Sequence, residues 1–278
     1  MEFCGGYNTL MAKKKDTQAG VSVQTGVSKE GTAGQRRAAA RAQRAQQKRR
    51  QMYALIGVVI VAALLVVAVI AASNRPVEVT LPADLSHYDD VPASVTDEGW
   101  FRLGDPDAPV VMEEFSSFSC TYCADYHKTM IRLIDPYVKE GTLSVVFAPM
   151  ANTEVASLAS QAALCAGQQE PAMFWKLHDV FFSWLSTNNY PYSQRQVEAA
   201  ANELGVDVGA MRACLGSQGV LNALQAVIDE ATIRGVTGTP AVFFNRQRPD
   251  CGIVGDLCEG NLPYDMVVRN IEQHLAGR

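Results

Sequence analysis

Two cysteines three positions apart, Cys120 and Cys123, close the stretch Ser116-Ser117-Phe118-Ser119-Cys120-Thr121-Tyr122-Cys123, where an apolar run gives way to a helix-like pattern. Such a pair can carry thiol–disulfide exchange, supply half of a zinc site, or form a purely structural disulfide. Exchange requires one sulfur to be available as a thiolate. If a strand containing Val110, Val111, Met112 and Phe115 feeds a helix starting near Cys120, that sulfur lies among amide N–H groups with no intrahelical partner. The helix dipole contributes only about 0.3–1 kcal/mol at an exposed end, less than the roughly 1.4 kcal/mol that one pKa unit represents. Hydrogen bonds from the backbone and side chains around the pair must supply the rest. Cys123, one turn on, can then close a disulfide with Cys120 or resolve a mixed one.

The elements that position this pair are legible in the hydrophobic pattern. Val110 to Phe115 reads as a buried strand, Ala124 to Lys139 as a helix interrupted near Pro136, and Leu143 to Pro149 as a second strand. Strand, helix, strand in that order makes a parallel unit with a crossover helix. The period then becomes helical over Glu154–Gly167, Pro171–Leu185, Ser193–Leu204, Asp207–Gly216 and Gln218–Arg234, with Pro171 near a helix start, Asp207 as an N-cap, and Gly167 and Gly205 near helix ends. A strand returns at Ala241–Asn245, directly after Gly238-Thr239-Pro240, and Tyr264–Leu275 closes the chain as an amphipathic helix. The fold class expected is α/β with an all-helical block inserted at about 152–234.

Charge divides the chain. Residues 1–75 hold twelve Lys/Arg against three Asp/Glu, and residues 76–278 hold twelve against twenty-six. No residue from Gln51 to Asn74 is charged; Met52–Ala72 makes about 32 Å of helix, enough for a hydrocarbon core of about 30 Å. This predicts a transmembrane signal anchor over 51–73. Lys48, Arg49 and Arg50 abut its start, with Arg36, Arg37, Arg41 and Arg44 upstream, so the positive-inside bias places the N-terminus in the cytoplasm and the rest outside the cell membrane. Ala71-Ala72-Ser73 offers a cleavage-like site, but the apolar run exceeds the 7–15 residues or so of a signal-peptide core. Residues 1–50, Gly-, Ala-, Gln- and Arg-rich, read as a basic disordered or only partly helical leader that can touch anionic lipid, and Met11 offers an alternative start. Residues 74–99, with Pro76, Pro82 and Pro92, read as a spacer before a domain over 100–278.

Three segments together resemble the DsbA-like branch of the thioredoxin superfamily, in particular its membrane-anchored thiol:disulfide oxidoreductases. They are Leu103-Gly104-Asp105-Pro106-Asp107-Ala108-Pro109-Val110, Glu114 through Cys123, and Gly235-Val236-Thr237-Gly238-Thr239-Pro240-Ala241-Val242-Phe243-Phe244-Asn245. The resemblance runs from about residue 100 to the end and implies a thioredoxin-like fold. It departs from the family at Thr121, where proline is common, at Arg246, where glycine is common, and in residues 246–261, which look inserted.

The resemblance implies that Cys120 is the attacking sulfur and Cys123 its partner, with Thr121 and Tyr122 tuning the pair through backbone N–H groups and the Thr121 hydroxyl. Glu114 matches a buried acid that relays the proton of the second cysteine. Strand alternation puts Glu113 on the opposite face. Pro240 matches a cis-proline that turns Thr239 outward to pair with an extended substrate. His127, four residues after Cys123, either approaches the site or lies on the surface.

Of the seven cysteines, an oxidising compartment favours pairing those outside the membrane. Cys165 and Cys214, on apolar faces of the helical block, are candidates to tie two helices. Cys251 and Cys258 are candidates to close a loop in the inserted segment, with a zinc site as the alternative. No metal, no cofactor and no nucleic-acid partner is expected.

The function implied is a membrane-tethered dithiol oxidase acting on cysteine-containing secreted or envelope proteins. A DsbB-like or VKOR-like quinone-linked membrane protein would reoxidise it. A reductase or isomerase using the same pair, and a peptide-binding module whose cysteines are only a bridge, are the competing readings.

Overall fold

The computed structural model describes residues 33–73, 77–187, 190–249 and 260–277. The chain divides into two compact units, Met1–Asn74 and Arg75–Arg278.

Among the described residues of the first unit one helix, α1, runs over Ala33–Ser73. It is long and apolar enough to cross a membrane. Large apolar side chains along it, among them Leu55, Val59 and Val66, are exposed. A helix apolar on all sides over this length suits a nonpolar surround. Residues 33–50 of the leader continue this helix, the partly helical rather than the disordered of the two alternatives there. Alanine, glutamine and arginine are strong helix formers, and that propensity prevails where there is no core to bury.

Among the described residues of the second unit five strands form one mixed sheet in the order β1-β2-β4-β3-β5. β3 (Val110–Ser116) and β4 (Leu143–Pro149) pair in parallel through the crossover helix α2 (Thr121–Leu133). β5 (Ala241–Phe244) runs antiparallel on the other side of β3. Pro136, lacking an N–H, falls in a π-helical turn over Ile134–Val138, where Lys139 N–H reaches back to the Ile134 carbonyl at 2.8 Å.

The spacer expected over 74–99 is contradicted from residue 77 onward. Tyr88 and Val91 are buried, and Val79, Leu81 and Leu85 pack on the core. The Trp184 indole N–H donates to the Thr80 carbonyl at 2.7 Å. β1 (Ala93–Val95) and β2 (Phe101–Leu103) then extend the sheet beside β4. Three-residue strands and isolated apolar residues between prolines carry no readable period.

The sheet buries both faces. Met112, Val145, Phe147 and Phe244 meet α2, the C-terminal helix α8 (Tyr264–Ala276) and the helical block. Phe115, Val146 and Phe243 belong to a second cluster with Trp100, Val227 and Ala231.

The block comprises α3 (Glu154–Gly167), α4 (Pro171–Ser186), α5 (Gln194–Glu203) and α6 (Val208–Cys214). Gly167 lets α3 approach the stacked Phe101 and Phe174 rings, because a Cβ there would lie 2.3 Å from Phe101 Cε1. The next helix, α7 (Gln218–Ile233), sharpens the insertion boundary of about 234. Its first half places Val220 and Leu224 in the main core, while Val227 and Ala231 lie in the cluster on the other sheet face. Only its beginning belongs with the block.

Candidate active site

β3 delivers its C-terminal end to the site, and the turn after it is tied down on several sides. The Met150 N–H, just past β4, donates to the Ser116 carbonyl at 2.7 Å. Ser117, fully buried, donates through its hydroxyl to Asn152 Oδ1 at 2.7 Å, and its carbonyl accepts the Cys120 N–H at 3.0 Å. Phe118 plugs the turn into the core among Phe147, Phe181 and Phe182, with ring centroids 5.1–5.3 Å away. Cys120 is the N-cap of α2, extended in backbone, and its carbonyl accepts the first helical bond from Ala124.

The two sulfurs are free and unequal: Cys120 is half-buried and Cys123 fully buried. Cys120 is pulled down to about 5, chiefly by a hydrogen bond from the Cys123 thiol, with further help from the Thr239 side chain and the N–H groups of Cys123 and Tyr122. Burial, and donation to Cys120, push Cys123 strongly up. The backbone donors are therefore Tyr122 and Cys123, whereas the sequence pointed to Thr121 and Tyr122. The Thr121 and Tyr122 side chains are exposed.

Opposite Cys120 stands the loop before β5. The Thr239–Pro240 bond is cis, and Cys120 Sγ lies 3.3 Å from the Thr239 carbonyl oxygen. The register Phe115↔Ala241 brings Pro240 alongside the end of β3.

Glu114 is buried on the face beneath α2, and burial pushes its carboxyl up to about 7, with the charge of Cys120 adding to the effect. Its Oε1 has no hydrogen-bond partner among the described residues. Glu113 faces the other way and pairs with Arg234, Oε2 to Nη1 at 2.6 Å.

Among the described residues His127 bonds to Asp179 rather than to either sulfur, and it is not on the surface. It is buried and bonded through Nε2 to Asp179 Oδ1 of α4, with His87 Nε2 3.5 Å from the other oxygen and the His178 ring 4.9 Å away. Burial holds His178 well below the usual histidine range. This cluster, and the Asn152 support of Ser117, were not read from the sequence. The pairs are 52 and 35 positions apart, and no local spacing announces them.

Cys165 and Cys214 are joined by a disulfide that ties α3 to α6, with Cα atoms 5.8 Å apart. Cys251 and Cys258 lie outside the described residues.

A family model described as thioredoxin matches residues 96–251. Two curated relatives, the Na(+)/H(+) antiporters NhaA 3 of Salinispora tropica and NhaA 1 of Salinispora arenicola, are each 26% identical over 148 residues, or 52% of this chain and 21% of theirs. The chain thus spans about a fifth of the length of the curated relatives it matches. Among solved structures, BdbD from Bacillus subtilis aligns at TM-score 0.54 and 18% identity, covering 68% of this chain and 100% of that one. The catalytic domain of Proteus mirabilis ScsC aligns at 0.52 and 21%, covering 69% and 94%. The thiol-disulfide exchange protein alpha-DsbA2 from Wolbachia pipientis aligns at 0.52 and 14%, covering 68% and 90%. A family match over more than half of the sequence, on the fold these structures share, leads to one assignment: the chain belongs to the thioredoxin family, with the fold of its DsbA-like thiol:disulfide oxidoreductases.

Proposed function

We propose that this chain is a protein thiol:disulfide oxidoreductase working as a membrane-tethered dithiol oxidase on the extracytoplasmic side of the cell membrane. The observation that carries the reading is the unequal placement of the sulfurs, with Cys120 half-exposed at the N-cap of α2 and 3.3 Å from the Thr239 carbonyl beside cis-Pro240, and Cys123 fully buried, which pulls Cys120 down to about 5 and pushes Cys123 up. A stable Cys120 thiolate stabilises the reduced pair. It also makes Cys120 a good leaving group, and both effects favour passing a disulfide outward.

In the cycle, a substrate thiolate attacks Cys120 Sγ of the Cys120–Cys123 disulfide, forming a mixed disulfide and expelling the Cys123 sulfur. Cys123 takes up a proton, for which Glu114, with its carboxyl near 7, is the proposed donor. A second substrate thiolate attacks the substrate sulfur, forming the substrate disulfide and releasing Cys120 as thiolate. Two electrons have moved from the substrate dithiol to the pair.

Thr239 serves as the shelf along which an extended substrate pairs. A DsbB-like or VKOR-like quinone-linked membrane protein restores the disulfide, and a bilayer anchor at α1 raises the effective concentration of the two partners. The antiporter name belongs to the much longer relatives and is not carried over.

Redox titration of the purified chain against glutathione tests the direction. An oxidase sits toward about −120 mV, and a value near about −270 mV would replace this reading by a reductase. If Cys120→Ser leaves every activity intact, the binding-module reading stands instead.

A further inference from the structure

A groove of about 730 Å³ opens in the helical block with one end at the active-site turn. Its size is in the range of roughly 300–1,000 Å³ typical of ligand sites. Along one side runs a single face of α3, with Glu154, Ser157, Leu158 and Gln161 at helical spacing. Along the other lie Leu215 and Gly216 at the end of α6. The separation of the two walls is fixed twice, by the Cys165–Cys214 disulfide and by the Gly216 N–H donating to Gln161 Oε1 at 2.8 Å.

The end nearest the sulfurs is the connector Ala151–Thr153. Asn152 of this connector holds the Ser117 hydroxyl, and the Ser117 carbonyl holds the Cys120 N–H. Two hydrogen bonds therefore link the mouth of the groove to the residue carrying the half-exposed sulfur. The floor includes Leu158 and Leu215, which pack on the core, and the walls are polar. Arg212 in the lining is already paired with Glu198, so its charge is not left to select an acidic ligand.

We infer that this groove receives the stretch of an extended, cysteine-bearing polypeptide that flanks the cysteine bonded to Cys120, on the side away from Thr239. The inference rests on the exchange chemistry proposed for Cys120. A small thiol cannot occupy both the sulfur and the groove. An extended chain can, and its alternating side chains suit a slot with an apolar floor and hydrogen-bonding walls.

The test uses full-length Cys123→Ala protein in detergent and synthetic peptides whose single cysteine is activated as a mixed disulfide with thionitrobenzoate. The Cys120 thiolate attacks the peptide sulfur, the new Cys120–peptide disulfide forms, and thionitrobenzoate leaves with the electron pair and is read by its colour. A photoreactive residue is placed at successive positions up to about six residues on either side of the cysteine, an extended reach of roughly 20 Å.

The expected result is crosslinking to Ser157, Leu158, Leu215 or Gly216 from one side of the peptide only. Crosslinks confined to other surfaces overturn the groove while leaving the redox site standing. Failure to release thionitrobenzoate overturns the redox site and the groove with it. As a second measurement, Ser157→Trp, which fills the slot, is expected to lower the ratio of kcat/KM for a long peptide to that for glutathione by about tenfold or more. An unchanged ratio overturns the inference.

Discussion

Cys120 Sγ donates to the carbonyl oxygen of Thr239 at 3.3 Å, joining residues 119 positions apart. Only the thiol can make that bond. Once Cys120 ionises or enters a disulfide, its proton is gone and the Thr239 carbonyl loses that donor. In the exchange cycle proposed above, the state of Cys120 and the hydrogen bonding of the Thr239 carbonyl therefore change together.

The first prediction concerns Cys120 itself. Rates of alkylation of the reduced protein should follow a titration with its midpoint at about 5. Because the leading cause is the hydrogen bond from Cys123, the Cys123→Ala variant should move that midpoint upward, toward the roughly 8.5 of an ordinary thiol. A midpoint unmoved by the substitution would show that the backbone and Thr239 do the work alone. The depressed pKa also links to stability: the reduced fold gains fully above the ordinary thiol value, and the gain is lost as pH falls toward about 5.

Glu114 has the opposite sign. Its folded value of about 7 lies above the usual carboxylate range, so its contribution is fully present below about 4.5 and is lost as pH rises through 7. Glu114→Gln keeps the neutral shape and should be more stable than the parent at pH 8, by on the order of 1–3 kcal/mol, with little difference at pH 4. Denaturant melts at the two pH values check this. If the carboxyl also hands a proton to Cys123, turnover of the variant should lose an inflection near neutral pH. A variant that keeps the parent's profile removes Glu114 from the proton path.

On the other sheet face, Arg234 and Glu113 form an ion pair whose side chains are 9% and 8% exposed, with the guanidinium 5.3–5.9 Å from the ring centres of Trp100, Phe115 and Phe243. Arg234 Nε also binds Glu230 Oε1 at 2.7 Å, and Glu230 keeps Arg246 at 3.1 Å, so removing Arg234 leaves Glu113 as the buried carboxylate that loses this arginine. Arg234→Met should cost about 3–5 kcal/mol, and the double variant Glu113→Leu/Arg234→Met should recover most of it. Urea midpoints for the two variants give the answer, and an equally damaged double variant would mean that the aromatic packing, not the charge, is what the arginine maintains.

The Cys165–Cys214 bridge spans a sequence separation of 49. Loop-closure entropy for a ring of that size corresponds to about 4 kcal/mol. The Cys165→Ala/Cys214→Ala variant should lose roughly that much in equilibrium unfolding. It should also loosen the α3–α6 contact, which hydrogen exchange at the Gly216 amide would register.

The parts of this fold with a strong local period were readable from the sequence. β3, α2, β4 and the helices from Glu154 onward appear where apolar spacing placed them, and the end at Pro149 and the start at Pro171 coincide with residues that punctuate backbones. The strand alternation that separated Glu113 from Glu114 also holds. What escaped is set by long-range pairing. β1 and β2 are three residues each and exist as strands because β4 offers an edge. Residues 77–92 pack by scattered contacts such as Thr80 with Trp184, 104 positions apart. The His127–Asp179 bond has the same character, since nothing within α2 marks its partner on α4.

The straddling of α7 has a mechanical consequence. A helix of 16 residues behaves as a stiff rod about 24 Å long. One end of it is gripped by the helical block, the other lies on the far face of the sheet, and just past that end the Arg248 guanidinium clasps the carbonyl oxygens of Arg234 and Gly235 at 3.1 and 2.7 Å. Four residues later the chain reaches Thr239. The carbonyl opposite Cys120 thus stands a few residues beyond a rod that is seated at one end in the helical block and at the other on the far face of the sheet, and both seats bear on where Thr239 lies.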